Sequence, residues 1–229
     1  MKKILSTTAI AGSLCLLGTS AFAQFSGPYG AASFSAAAVT TEASKTGGTA
    51  STDSIGGTKN TNTGTGNAGQ AFPLAALDLG YSFAAAKGTS IAIGATYTPL
   101  KGKIEGKSND TNSGGVQNVE VKDMYSVYIK PSFEINKDAA VLLGVHYTKA
   151  DVSATNVTSA VPDLEGFGIS GGLRVMLTKD AFIQTEAVYT KFDSISVTDT
   201  STLKTGATRT ITANDPTLIE GRITLGFKF

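Results

Sequence analysis

One histidine, a literal G-x-G-x-x-G and a balanced set of charges are the residues of this chain that could do chemistry. His146 is the single imidazole. As a general base it would need a carboxylate and a nucleophilic hydroxyl held beside it, and nothing else in the sequence supports that constellation. One imidazole is also too few for a typical metal site, so an interior hydrogen-bonding role is expected. The run GFGISG, residues 166–171, would cradle a pyrophosphate if it opened a helix after a strand. The next seven residues, GLRVMLT, keep a period of two. With no helix N-terminus to supply the dipole, these glycines read as space in a crowded interior, and no cofactor is implied.

The elements that must position these residues are strands. Segments of roughly ten residues alternate apolar side chains with small or polar ones, a pattern of strands with two different faces. Ile91, Ile93, Ala95 and Tyr97 alternate with Ala92, Gly94, Thr96 and Thr98. Tyr125, Val127, Ile129 and Phe133 do so with Ser126, Tyr128, Lys130 and Glu134. Further rows are Leu77, Leu79, Tyr81 and Phe83; Val141, Leu143, Val145 and Tyr147; Phe167, Ile169, Leu173, Val175 and Leu177; and Ile183, Ala187 and Tyr189. A first strand from Ser33 to Val39, of less definite register, and a last one ending RITLGFKF bring the count to eight.

The connections alternate too. Short ones join the second strand to the third, the fourth to the fifth and the sixth to the seventh. The others, 41–70, 100–120, 149–163 and 193–215, are rich in Ser, Thr, Gly and Asn. Such segments bury too little apolar surface to offset chain entropy, so mobile loops are expected there. With strands running up and down, every short turn falls at one end and every long loop at the other.

Residues 1–23 stand apart. Lys2 and Lys3 precede an apolar stretch over 4–17, and Ala21-Phe22-Ala23 fits a small-x-small cleavage site, so a leader is expected to be removed and the mature domain to run over 24–229. Cys15, the single cysteine, lies in that leader. Without the two leader lysines, 17 basic side chains stand against 18 acidic ones, a formal charge of −1 that gives no footing to a nucleic-acid partner. No apolar stretch of eighteen residues survives cleavage, which excludes helical spans.

Alternation alone does not say which face is inside. The polar face is rich in small residues, with Gly80, Gly94, Gly144, Gly168, Gly172 and Gly226 among them. A water-exposed sheet has little reason to avoid long side chains, whereas the interior of an eight-stranded barrel is only wide enough for packed ones. Apolar rows ending in Tyr81, Phe83, Tyr97, Tyr147, Tyr189, Phe227 and Phe229 suit two membrane interfaces. The expected fold is therefore all-β, an eight-stranded antiparallel up-and-down transmembrane barrel with apolar side chains outward. Asp78, Lys130, Glu134, His146, Arg174, Glu186, Glu220, Arg222 and Lys228 then point inward as a polar network, since unpaired charges in a narrow lumen would be costly. Arg174 and Glu186, on either side of the short turn at Lys179-Asp180, are the first candidates for a direct pair.

The leader, the eight segments and the closing RITLGFKF resemble the small outer-membrane β-barrel families, such as the OmpA membrane domain, OmpX and opacity-type proteins. The resemblance implies a bacterial outer-membrane location, lipid as surroundings, and a final strand read by the barrel-assembly machinery through Leu225, Phe227 and Phe229. It also implies a role in envelope structure, surface interaction or adhesion, with an extracellular ligand at the loops as a possible partner. A small-solute porin-like channel, an outer-membrane enzyme and a soluble lipocalin-like carrier are the competing readings.

Overall fold

The computed structural model describes residues 25–49, 60–61, 64–99, 102–105, 118–154, 161–199 and 209–229. The expected leader and the middles of the long connections lie outside these residues.

Eight long strands carry the fold: β1 (Gly27–Thr49), β2 (Gly64–Ala86), β3 (Thr89–Thr98), β4 (Asn118–Asn136), β5 (Ala139–Ala154), β6 (Leu164–Met176), β7 (Ala181–Phe192) and β8 (Arg209–Lys228). Each pairs antiparallel with the next, and β8 returns to pair with β1 from Tyr29↔Lys228 to Gly47↔Arg209. This last ladder closes the cylinder. It leaves no open edge in the middle of the wall, so the backbone groups there are satisfied without water. At one end β2, β4 and β6 turn tightly into β3, β5 and β7. The first of these turns uses Lys87 and Gly88, and Gly88 takes a positive φ of 71°, which glycine adopts without a steric penalty.

The expectation of loops beginning at residues 41, 149 and 193 needs correction. The ladder of β1 and β2 continues to Lys45↔Gly64, and β8 pairs with β1 down to Arg209. Short strands at Gly102–Glu105 and Ile195–Asp199 extend the wall against β4 and β8. Polar Ser, Thr and Gly stretches bury little, but the ladder needs only backbone N–H and C=O groups, and the barrel below them already sets the register. Two bulges mark the start of these extensions. They sit at Asp123 (φ 43°) in β4 and Asp215 (φ 44°) in β8, where the partner strands β5 and β1 advance one residue fewer.

The alternation sorts side chains as expected. Phe34, Leu79, Val127, Val145, Phe167, Ile169, Ile223 and Leu225 are more than half exposed on the outside. Asp78, Thr96, Lys130, Ser170, Arg174, Glu186 and Glu220 are buried inside. A continuous greasy exterior around an interior that holds the buried charges suits hydrocarbon as solvent and would be an aggregation surface in water. Spin labels at Phe34, Val145 and Ile169 should therefore show oxygen-enhanced relaxation in vesicles, and labels at Thr96 and Ser170 should not. The opposite pattern would turn the wall inside out.

Candidate functional site: the filled lumen

The inward side chains arrange themselves in three layers. At the short-turn mouth, Phe25, Tyr29, Ala92, Ala140, Met176 and Phe182 form a buried floor, with the Tyr29 and Phe182 rings meeting edge to face at 5.9 Å. Towards the long-loop end, Ala37, Leu74, Met124, Ala150, Val152, Leu164, Phe192 and Leu218 form an apolar collar, backed by Val39, Phe72, Val121, Val161 and Ile195. The polar residues occupy the middle. The polar network expected inside is therefore flanked by apolar layers that the sequence did not indicate: Phe182, Phe192, Leu74 and Leu218 occupy the inward parity of strands whose outward rows are also apolar, so the alternation conceals them.

The middle layer holds every charge singled out above except two. The Tyr128 hydroxyl donates to Asp78 Oδ1 at 2.5 Å and the Thr96 hydroxyl donates to Oδ2 at 3.0 Å. With its one proton committed to Asp78, Tyr128 must accept from the Tyr29 hydroxyl, 2.6 Å away. Lys130 Nζ lies 3.0 and 3.1 Å from the two oxygens of Glu186, which also accepts from Ser170 Oγ at 3.2 Å and Gln184 Nε2 at 2.6 Å. The Lys130 ammonium also sits 4.2 Å above the Tyr128 ring, which joins the two clusters. Arg222 bonds Glu220 two residues back on the same strand at 2.9 Å. His146 Nε2 meets the Thr190 hydroxyl at 2.8 Å.

Three acids (Asp78, Glu186, Glu220) and three bases (Lys130, Arg174, Arg222) thus balance within one layer. Around His146, Lys130, Thr190, Glu220 and Arg222 a cavity of only about 10 Å³ remains, room for roughly one water centre. Glu134 and Lys228 are inward but half-buried, at the short-turn rim outside this network.

The expected Arg174–Glu186 pair does not form. The β6–β7 register sets Arg174 opposite Gln184 and Gly172 opposite Glu186. Arg174 Nε therefore donates to Gln184 Oε1 at 2.8 Å, and its guanidinium covers the Phe182 ring at 4.4 Å. Gln184 then passes the contact on to Glu186, a relay that spacing around the turn could not reveal. Tyr29 and Tyr128 were missed as site residues. For Tyr128 the signal was available in the parity it shares with Lys130, whereas Tyr29 precedes the Ser33–Val39 segment whose register the sequence left open.

The glycine-rich face fits the large side chains opposite it. A Cβ on Gly80 would lie 2.5 Å from the Tyr29 hydroxyl. One on Gly94 would strike the Tyr128 hydroxyl, one on Gly168 the His146 ring, and one on Gly226 the Phe182 ring. Gly168 belongs to the GFGISG run, so that motif houses an imidazole in a strand and opens no helix.

Outside, just above the apolar wall, Lys149 bridges Asp163 at 2.8 Å and Glu165 at 3.2 Å, and the Tyr147 hydroxyl donates to Glu165 at 2.7 Å. The Tyr147 hydrogen bond, with Lys149 second, holds the Glu165 carboxyl below its ordinary range. Lys191 pairs with Asp215 at the β8 bulge at 2.9 Å. Leu225, Phe227 and Phe229 face outward, and the Phe229 amide donates to the Pro28 carbonyl at 3.0 Å, which pins the last residue to the start of β1.

Two substitutions probe this packing. Lys130→Met strands a buried carboxylate and should cost about 3–5 kcal/mol in urea unfolding from vesicles, while adding Glu186→Leu should recover most of that loss. Gly94→Val should destabilise by at least about 1–3 kcal/mol, and Tyr128→Ala placed in the same chain should relieve only part of that loss, because the Leu79 carbonyl also lies 2.6 Å from the added Cβ.

No family model matches this chain, and no curated protein matches it in sequence. Solved structures do match in shape. The outer membrane protein OprG from Pseudomonas aeruginosa is 15% identical with a TM-score of 0.51, over 89% of this chain and 97% of that one. Neisserial surface protein A is 13% identical with a TM-score of 0.41, over 86% and 97%. The attachment invasion locus protein of Yersinia pestis, bound to a heparin analogue, is 16% identical with a TM-score of 0.38, over 86% and 99%. Together with the closed β8–β1 ladder and the greasy exterior, the likeness to OprG establishes the fold of this chain as that of the small eight-stranded outer-membrane β-barrels.

Proposed function

We propose that this chain is an integral outer-membrane barrel whose lumen is sealed, and that it serves the envelope as a structural and surface-displaying element, neither a conduit nor an enzyme. The observation that carries the reading is the stacking of an ion-paired layer between two apolar ones. An ion crossing the barrel would have to displace the Lys130–Glu186 bridge and then pass a collar of Met124, Val152, Leu164, Phe192 and Leu218, where neutral hydroxyls such as Thr98 and Thr190 are the polar groups beside it. Stripping an ion of water in such a passage is prohibitive. The His146–Thr190 contact supports no catalysis, because it lies in this packed layer with space beside it for one water and none for a substrate.

In this reading residues 1–23 direct export and are removed, and Leu225, Phe227 and Phe229 present the last strand to the assembly machinery. The ladder of β1 with β8 then forms last and places both termini at the periplasmic mouth. The long connections emerge on the outer side, on a rim where Lys149, Glu165, Lys191 and Asp215 pair among themselves. A ligand of the surface-exposed loops is the remaining element of the proposal.

Planar-bilayer recording tests the seal: the purified barrel should give no steady ohmic current at moderate voltage. Opening the collar by Phe192→Ala and Leu218→Ala together should still leave it closed, because the ionic layer beneath remains. A steady current from the unaltered chain would refute the sealed lumen and favour a small-solute channel.

A further inference from the structure

Of the buried residues in the floor layer, five stand on barrel strands and one does not. Phe25 precedes β1, yet it is 2% exposed and packs with Tyr29, Ala92, Ala140, Met176 and Phe182. The chain between Phe25 and the wall passes through Gly27, whose φ of 116° is accessible to glycine and strained for other residues. Gly27 is the residue of β1 that pairs with Ser82 of β2. At this same spot the hydroxyls of Ser26 and Ser82 are buried without a hydrogen-bond partner, and they are the side-chain polar atoms so placed among the described residues. Ser82 itself is 1% exposed.

These observations set two terms against each other. Seating the Phe25 ring removes apolar surface from water, which is favourable. The same act buries two hydroxyls that water would otherwise satisfy, at a cost of similar order. A wall residue could not respond to this balance, because its backbone is held in two ladders. Phe25 stands in a 3-10 turn before β1 and, among the described residues, in no ladder.

We propose that Phe25 is a hinged stopper: the segment before β1 turns about Gly27 to open or shut the short-turn mouth of the lumen to water, and Ser82 is the first wall group wetted when it opens. The ionic layer stays dry in either state, since Tyr29, Tyr128 and Asp78 are tied to one another above the floor. The stopper is independent of whether the lumen conducts. It would stand even if the collar at the other end proved open.

The test uses a single cysteine at Ser82→Cys in a Cys15→Ala background, with the protein folded in detergent micelles and a charged, water-soluble thiol reagent. Folding is checked by the mobility difference between heated and unheated samples. With Phe25 present the thiol should react slowly. Phe25→Ala should raise the rate about tenfold or more, and Gly27→Ala, which keeps the ring but strains the hinge, should raise it as well. A cysteine at Ser170, inside the ionic layer, should remain unreactive in all of these. Equal rates at Ser82→Cys with and without Phe25 would overturn the proposal. So would a reactive Ser170→Cys in the Phe25→Ala chain, which would mean the whole core had loosened. If Phe25→Ala failed to fold, an unchanged rate in folded Gly27→Ala would also count against it.

Discussion

The narrowness of an eight-stranded cylinder is the constraint on which the rest of this structure depends. Once β8 pairs with β1, every second side chain of every strand is committed to a space with room for little more than the side chains themselves. Volume must then be shared between neighbours. That is why Gly80, Gly94, Gly168 and Gly226 each lie under a large ring from another strand: Tyr29, Tyr128, His146 and Phe182 respectively. The tyrosines are admitted only because the glycines yield, and the glycines are tolerated in strands because the rings fill the space they leave.

The same narrowness governs the charges. An acid or base in the lumen has hydrocarbon beyond the wall and apolar layers above and below, so it must find a counterion or hydrogen-bonding partners within a few ångströms. Asp78, Glu186 and Glu220 each do so differently. Asp78 is satisfied by hydroxyls from Tyr128 and Thr96, Glu186 by an ammonium, a hydroxyl and an amide, and Glu220 by an arginine of its own strand. Glu186 is the hub, since it gathers β4, β6 and β7 at one point. Rigidity of the barrel and impermeability of its centre are two consequences of one packed, neutral layer.

Above the membrane wall the constraint relaxes and the sequence changes character with it. Strands persist beyond the bulges at Asp123 and Asp215 with more Ser, Thr and Gly than below, and they are held by backbone pairing together with the few aliphatics, Val121, Val152 and Ile195, that reach the collar. Ion pairs here, such as Lys149 with Asp163 and Glu165, are partly exposed and fix the rim weakly. A rigid wall therefore supports extensions whose polar positions make few side-chain contacts with the core, while Val121, Val152 and Ile195 remain tied to the collar.

The amino-acid sequence alone determined the strand count, the outward rows from Leu77 through Leu225, and the inward parity of Asp78, Lys130, His146, Arg174, Glu186, Glu220 and Arg222. A period of two is local: it depends only on the pleat, and hydrocarbon outside with little volume inside then fixes which parity goes where. What the tertiary structure decided was pairing across strands. The register of β6 on β7 gave Glu186 to Lys130 and left Arg174 to Gln184 and Phe182. It also set an apolar collar and floor within a lumen that looked polar, and drew Phe25 into the mouth from outside any strand. None of these is periodic. Each depends on how far one strand is shifted against another and on the tilt that closure imposes, and those are properties of the whole cylinder.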